Sequence, residues 1–213
     1  AGLRPLVANK KASDTTKLSR EHTVDRPLPG FVSLAGGKYT TYRVMAKDAV
    51  DLAVLDLRRL VSDSVTEKLP LIGADGYHAL TQQVAKIADE SGLIESTVTH
   101  LLDRYGSLIS EILEIIEEEP QYAERLIPDL PYLKAEILHA AMYEGALSVA
   151  DVLMRRTRIS FESSDSGLSV ADEVAQIIAP TLGWSRTDAK KSVSQFTEIV
   201  SKEEGALRAL INS

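Results

Sequence analysis

The sequence predicts a mainly α fold, a C-terminal multi-helix bundle preceded by a small α/β element made of a hairpin and one long helix. Three observations predict it. From Tyr77 onward apolar residues recur at i, i+3, i+4 and i+7, the spacing of one helix face. Gly106, Pro120, Pro128, Pro131, Gly145 and Gly183 divide that stretch into pieces of helical length. Near the N-terminus, the apolar run Phe31-Val32-Ser33-Leu34-Ala35 reads as a short buried strand, and a helical pattern follows two glycines later. The layout is then 1–61 for the α/β element, 62–76 for a linker carrying Pro70, Gly73 and Gly76, and 77–213 for the helical domain.

The elements follow in order. Residues 1–30 are polar, with a turn at Ser13-Asp14-Thr15-Thr16 and positive charge from Lys10, Lys11, Lys17 and Arg20. Leu18–Val24 is a strand candidate, paired with Phe31–Ala35 across the turn Asp25-Arg26-Pro27-Leu28-Pro29-Gly30. Such a hairpin is barely stable alone and needs more sheet than this chain supplies. The long helix carries Tyr42, Met45, Ala46, Ala49, Val50, Ala53, Leu57 and Leu60 on its apolar side, with Thr40 or Thr41 placed as its cap. Helices are expected over His78–Glu90, Glu95–Tyr105, Ser107–Glu119 and Leu133–Glu144. A shorter one follows from Ser148 to Arg156, then Ser169–Leu182 with Pro180 inside, and a last one from Ser185 to about Glu204. Ser148-Val149-Ala150-Asp151 and Ser185-Arg186-Thr187-Asp188 fit capping boxes. Glu117-Glu118-Glu119-Pro120 reads as a solvated acidic turn.

Composition excludes several classes. The chain has 213 residues, a net charge of −7 and 44% hydrophobic residues, which fits a globular protein with a sizeable core and argues against a general nucleic-acid binder. There is no cysteine, so disulfides, thiol catalysis and cysteine metal sites are out. No apolar run reaches the ~18 residues of a membrane span. The expected setting is cytoplasmic, with any membrane association peripheral. The first residue is Ala rather than Met, and the sequence reads as part of a longer chain.

The chemistry concentrates at Gly36-Gly37-Lys38-Tyr39-Thr40. Glycines admit φ > 0 and a close ligand. A helix N-terminus adds free N–H groups and about half a positive charge, and Lys38 adds a whole one. The site suits an anion, or a group that becomes anionic in reaction. The same pattern also describes an ordinary strand-to-helix turn with a surface lysine. Arg4 and Arg20 flank a loop, and paired guanidinium groups suit phosphate or carboxylate. Taken singly, each reads as a surface arginine. His22, His78, His100 and His139 stand too far apart for metal-ligand spacing and read as surface or core histidines. Arg155-Arg156-Thr157-Arg158 is either charge at a helix C-terminus or a docking patch for an acidic face.

Together these stretches resemble the FAD-dependent glycerol-3-phosphate dehydrogenases. Gly2-Leu3-Arg4-Pro5-Leu6, Ser19-Arg20-Glu21-His22 and Ala35-Gly36-Gly37-Lys38-Tyr39-Thr40-Thr41-Tyr42-Arg43 match that family in order and spacing. Arg104-Tyr105-Gly106 and the run from Glu144 to Arg158 are similar to its C-terminal domain. The resemblance implies that the first segment is a remnant of an FAD-binding domain, and that Gly36, Gly37, Lys38, Tyr39 and Thr40 face the flavin pyrimidine edge. It implies that Arg4, Arg20 and Lys38 line the glycerol phosphate pocket, Arg20 on the phosphate, and Arg4 either there or nearer the reacting carbinol. Oxidation to dihydroxyacetone phosphate would send electrons through FAD to a membrane quinone, at the inner face of the membrane. The Gly-x-Gly-x-x-Gly turn of the dinucleotide fold is absent, so the chain alone is expected to lack FAD and activity and to need its own N-terminal FAD domain. A homodimer, a non-catalytic helical interaction domain and a fragment of another flavin oxidase remain open alternatives.

Overall fold

The computed structural model describes residues 21–57 and 59–211. The chain divides into two compact units, Ala1–Pro70 and Leu71–Ser213. The fold is mainly helical, with one two-stranded antiparallel sheet among the described residues, as the sequence predicts. The turn expected at Ser13–Thr16, and Arg4 and Arg20, lie outside the described residues.

In the first unit, strand β1 (His22–Leu28) pairs with β2 (Phe31–Gly36). The pairing opposes His22 to Gly36 and Asp25 to Ser33, then slips before Leu28 meets Phe31. The strand therefore runs through Arg26 and Pro27, where a turn was expected. Pro27 has no amide to give the ladder, and a bulge is where a strand tolerates that. Helix α1 (Tyr42–Val54) begins after a 3₁₀ turn, Tyr39–Thr41. No side chain caps α1. The Thr41 hydroxyl points back and donates to the Lys38 carbonyl at 3.0 Å. The helix stops at Val54, short of Leu60. There the Asp56 and Leu57 amides fall back onto Ala53 and Val54 carbonyls, and the Asp56 carboxylate is taken by the hairpin.

The hairpin covers one side of α1, where Met45, Asp48, Ala49, Leu52 and Asp56 are half-buried. Val50 and Leu57, expected on the buried stripe, are exposed. No described residue of this unit is fully buried, consistent with too little sheet to make a core.

The second unit has its own interior. Its helices are α2 (Tyr77–Thr81), α3 (Val84–Ser91), α4 (Glu95–Tyr105), α5 (Ile109–Glu118), α6 (Lys134–Met142), α7 (Ile159–Glu162), α8 (Ala171–Leu182) and α9 (Arg186–Ile211). A π-helical turn, Asp151–Arg156, precedes α7. The single helix expected over His78–Glu90 is broken near Gln83, whose side-chain amide donates to the Ala79 carbonyl and whose backbone N–H closes a tight turn on Leu80. The Ser185 box forms, the Asp188 amide donating to Ser185 Oγ at 3.2 Å; at Ser148 the Asp151 amide donates to Ser148 Oγ at 3.0 Å, but the Asp151 carboxylate accepts from the Leu147 amide rather than that of Ser148. The Ser185 amide donates back to the Asp188 carboxylate at 2.9 Å.

Two apolar clusters fill this unit. One gathers Ile137, Leu153, Ile159, Val174, Ile178 and Phe196. The other gathers Val98, Leu101, Leu102, Ile109, Ile112 and Leu133. Helix α6 stands between them: Ile137, Ala140 and Ala141 face the first, Ala135 and Leu138 the second. A helix used on both sides is buried all round, and α6 is so even at Glu136 and His139.

Two predictions arise from local geometry. Gly106 ends α4 at φ +58, and a Cβ there would lie 2.0 Å from the Gly73 carbonyl oxygen. Gly73 O also accepts from the Ser107 amide at 2.8 Å. Gly106→Ala is expected to destabilise this unit by about 2–3 kcal/mol, read as a lower urea midpoint. Asp165 accepts from the Ser163 hydroxyl and from the Gly167 and Ser169 amides at 2.9 and 2.7 Å. Those bonds, Ser163 first, hold its carboxyl well below the usual carboxylate range. A depressed folded pKa adds stability that is complete above the unfolded value of about 4 and is lost as pH falls toward the folded one. Asp165→Asn should therefore lower the urea midpoint at pH 7 and show a smaller further loss than wild type below about pH 4. Parallel acid titrations of both proteins would refute this.

Candidate functional site

The Gly-Gly-Lys stretch is built from the end of β2 and the start of α1. Gly36 and Gly37 both take φ +80, the left-handed region that glycine alone adopts freely. A Cβ on Gly37 would stand 2.6 Å from Met45 Sδ and 3.1 Å from His22 Cβ. The glycine thus lets the chain turn tightly over its own helix. Lys38 then returns to extended backbone, φ −135 and ψ 152. Lys38, Tyr39 and Thr40 are all exposed, Tyr39 to 90%, and Tyr39 stacks on Tyr42 at 6.0 Å. The Tyr42 amide is taken by the Tyr39 carbonyl and the Thr41 amide by the Lys38 carbonyl, so what this end presents to whatever meets it is the Lys38 charge and the positive end of the helix. Gly36, Gly37, Lys38, Tyr39 and Thr40 are thus brought together. Arg4 and Arg20 lie outside the described residues.

The sequence reading missed the side chains behind the turn. His22 Nε2 lies 2.7 Å from Asp48 Oδ2 on α1. Arg26 pairs with Asp56, whose other oxygen accepts from the Gly30 amide at 2.8 Å. The available signal was Asp48 within α1 and Asp56 just past it, with His22 and Arg26 spaced by four in β1.

It also missed a polar cluster inside the helical unit. Glu136, fully buried on α6, accepts from the Leu133 amide at 2.7 Å, a bond the leucine side chain has no acceptor to return. Its Oε1 accepts from Tyr105 Oη at 3.1 Å, and His100 Nε2 lies at 3.1 and 3.2 Å from its two oxygens. Arg104 Nε stands 3.0 Å from Oε1, a charge contact without the alignment of a hydrogen bond. Burial pushes the Tyr105 phenol up, and the Glu136 charge adds to it, so Tyr105 stays a donor. Arg104 also donates to the Arg156 carbonyl at 2.5 Å, and Arg156 Nε to the Glu144 carbonyl at 2.8 Å. The basic run is therefore partly consumed at home: Arg155 pairs with Asp151 and Arg158 with Glu162, while Thr157 is buried and bonds the Val152 carbonyl. His139, 1% exposed, lies 2.8 Å from Glu111. Among the described residues, no three His, Cys, Asp or Glu side chains are placed to hold a metal ion, and no helix is long and apolar enough to cross a membrane.

Residues 64–189 match the family described as the C-terminal domain of alpha-glycerophosphate oxidase. The chain is 48% identical over 203 residues to glycerol-3-phosphate dehydrogenase 2 of Mycobacterium bovis, covering 95% of this chain and 34% of that protein. It is 31% identical over 225 residues to a mitochondrial glycerol-3-phosphate dehydrogenase of Arabidopsis thaliana, covering 100% of this chain and 36% of that one. Against the mitochondrial enzyme of Mus musculus the identity is 30% over 209 residues, 96% of this chain and 28% of the other. The chain thus spans about a third of the length of the curated relatives it matches.

Proposed function

The chain belongs to the family of the C-terminal domain of alpha-glycerophosphate oxidase, and from that premise we propose that it serves an FAD-dependent glycerol-3-phosphate dehydrogenase, as the part that closes one edge of the flavin and substrate site. The observation that carries the reading is the open tip of α1. Lys38, Tyr39 and Thr40 stand exposed behind two glycines at positive φ, in a chain 48% identical to an enzyme of that name.

The donors at this tip fit the pyrimidine edge of a flavin, since they are cationic or N–H and crowd no ligand with side chains. FAD, when bound, supplies the acceptor for the hydride of the substrate carbinol. The Gly36-Gly37 turn draws the chain tightly onto α1, and Lys38 with the positive end of α1 holds negative charge where it gathers. Arg20 binds the substrate phosphate, and Arg4 lies on the phosphate or the carbinol. Electrons leave to a quinone at the inner membrane face. The remainder of the FAD domain comes from sequence outside this chain, which alone retains no flavin and no activity. A self-contained interior in the helical unit favours a second reading, an interaction module without catalysis.

The test is reduction of a dye by glycerol 3-phosphate with the full-length protein and with residues 1–213 alone. The full-length protein should reduce dye and show a flavin band near ~450 nm, and the 213-residue chain should do neither. A full-length protein that binds flavin but ignores glycerol 3-phosphate would overturn the substrate. A flavin band in the chain alone would overturn the division of labour.

A further inference from the structure

Helix α1 meets the hairpin through two carboxylates. Asp48 lies within α1, and Asp56 in the turn just past its end, two residues beyond Val54. Their partners His22 and Arg26 are four residues apart on β1, roughly 13 Å at 3.3 Å per residue. The pairs are made in the same order along both segments, so β1 and α1 run in the same direction. His22, Val24 and Arg26 are the half-buried positions of β1, alternating with exposed neighbours, so His22 and Arg26 both face the helix. The bulge after Asp25 comes at Arg26 and Pro27, and the hairpin turn adds the Gly30 amide to Asp56.

We propose that Asp48 and Asp56 are positioning residues: one within α1 and one just past its end, they lock α1 in register against the hairpin through His22 and Arg26, and thereby fix where the Gly36-Gly37-Lys38 tip stands. A one-turn slip of α1 would carry both carboxylates past their partners together, so the two pairs discriminate register where one would allow pivoting. The upper pair is also close to the tip. His22 is the ladder partner of Gly36, and His22 Cβ lines the space over Gly37. The lower pair holds the far end of α1, so the helix cannot swing about the upper one. Val24 and Leu52 are half-buried, and since apolar burial is non-directional, the two polar pairs supply the direction.

The link from clamp to tip rests on the functional reading above; the clamp itself does not. Asp48→Asn, Asp56→Asn and the double variant are compared in two measurements. In the 213-residue chain, hydrogen exchange of the hydrogen-bonded amides in the body of α1 and in β1 should quicken at least about tenfold in the double variant, and less in each single, with the helical unit unchanged. In the full-length holoprotein the double variant should shift the flavin equilibrium toward the oxidised form about tenfold, about 30 mV for two electrons, with KM for glycerol 3-phosphate nearly kept. Unchanged exchange in all three variants overturns the clamp. Quickened exchange with an unmoved potential overturns the positioning of the tip. A wild-type full-length protein without flavin overturns the functional reading, and exchange still decides the clamp.

Discussion

Replacing Glu136 by alanine is expected to cost the helical unit about 3–5 kcal/mol, the range for removing one partner of a buried ion pair. The side chain is fully buried on a helix that separates two apolar clusters. Its loss strands the Arg104 charge, the Tyr105 hydroxyl and the Leu133 amide at once. Each stranded group has a cost of its own, about 1–3 kcal/mol for a buried donor left without acceptor. The cavity adds to it. A domain with 5–15 kcal/mol of stability loses a large share, and the melting temperature should fall on the order of 10 °C. Glu136→Gln keeps the volume and an acceptor for the Leu133 amide while giving up the charge, so it should fall between the two. The only tryptophan, Trp184, packs against the first cluster, which makes its fluorescence a reporter for this unit in a urea titration. A Glu136→Ala protein within about 1 kcal/mol of wild type would mean that these partners re-pair without it.

That cluster also marks the limit of what was legible in the chain. The helix ends at Tyr105 and Gly183 were readable because local chemistry sets them, and so were the two Ser-x-x-Asp boxes, while the helix expected to run to Glu144 stops at Met142. Glu136 looked like an ordinary third-position glutamate of a helix start, and locally it is one. Its other partners lie 31 and 36 residues earlier, and no window of sequence joins them. The same holds for α1. Asp48 and Asp56 interrupt an apolar stripe, and periodicity therefore turned the helix toward Val50 and Leu57, which are exposed. The charges belong to the buried side because His22 and Arg26 meet them there. At the candidate site the Gly-Gly turn and the helix behind it were legible. The expected threonine cap was not found: Thr41, at φ −106 and ψ 13, lacks the extended backbone of a capping residue, and its hydroxyl donates to the Lys38 carbonyl instead.

Reversing the charge of Lys38 should have the largest effect on activity. In the full-length holoprotein, Lys38→Glu is expected to lower kcat for glycerol 3-phosphate by a hundredfold or more, about the effect of losing one preorganised donor to developing charge. The magnitude follows from distance. Two unit charges 4 Å apart interact by about 4 kcal/mol at an effective dielectric constant of 20, and a reversal turns attraction into repulsion. Lys38 is exposed at the tip, so its replacement should leave folding alone, and unchanged circular dichroism would show that. The split between constants then assigns its partner. A lysine serving the flavin edge lowers kcat and the flavin potential while KM holds; a lysine serving the substrate phosphate raises KM while the potential holds. Lys38→Arg keeps the charge and should stay within about tenfold of wild type in the first case. It should be worse in the second, where a planar fork replaces a compact ammonium in a fitted pocket. A Lys38→Glu enzyme with wild-type kcat, KM and potential would remove the residue from the mechanism, and with it the reason for giving the tip of α1 a part in the reaction.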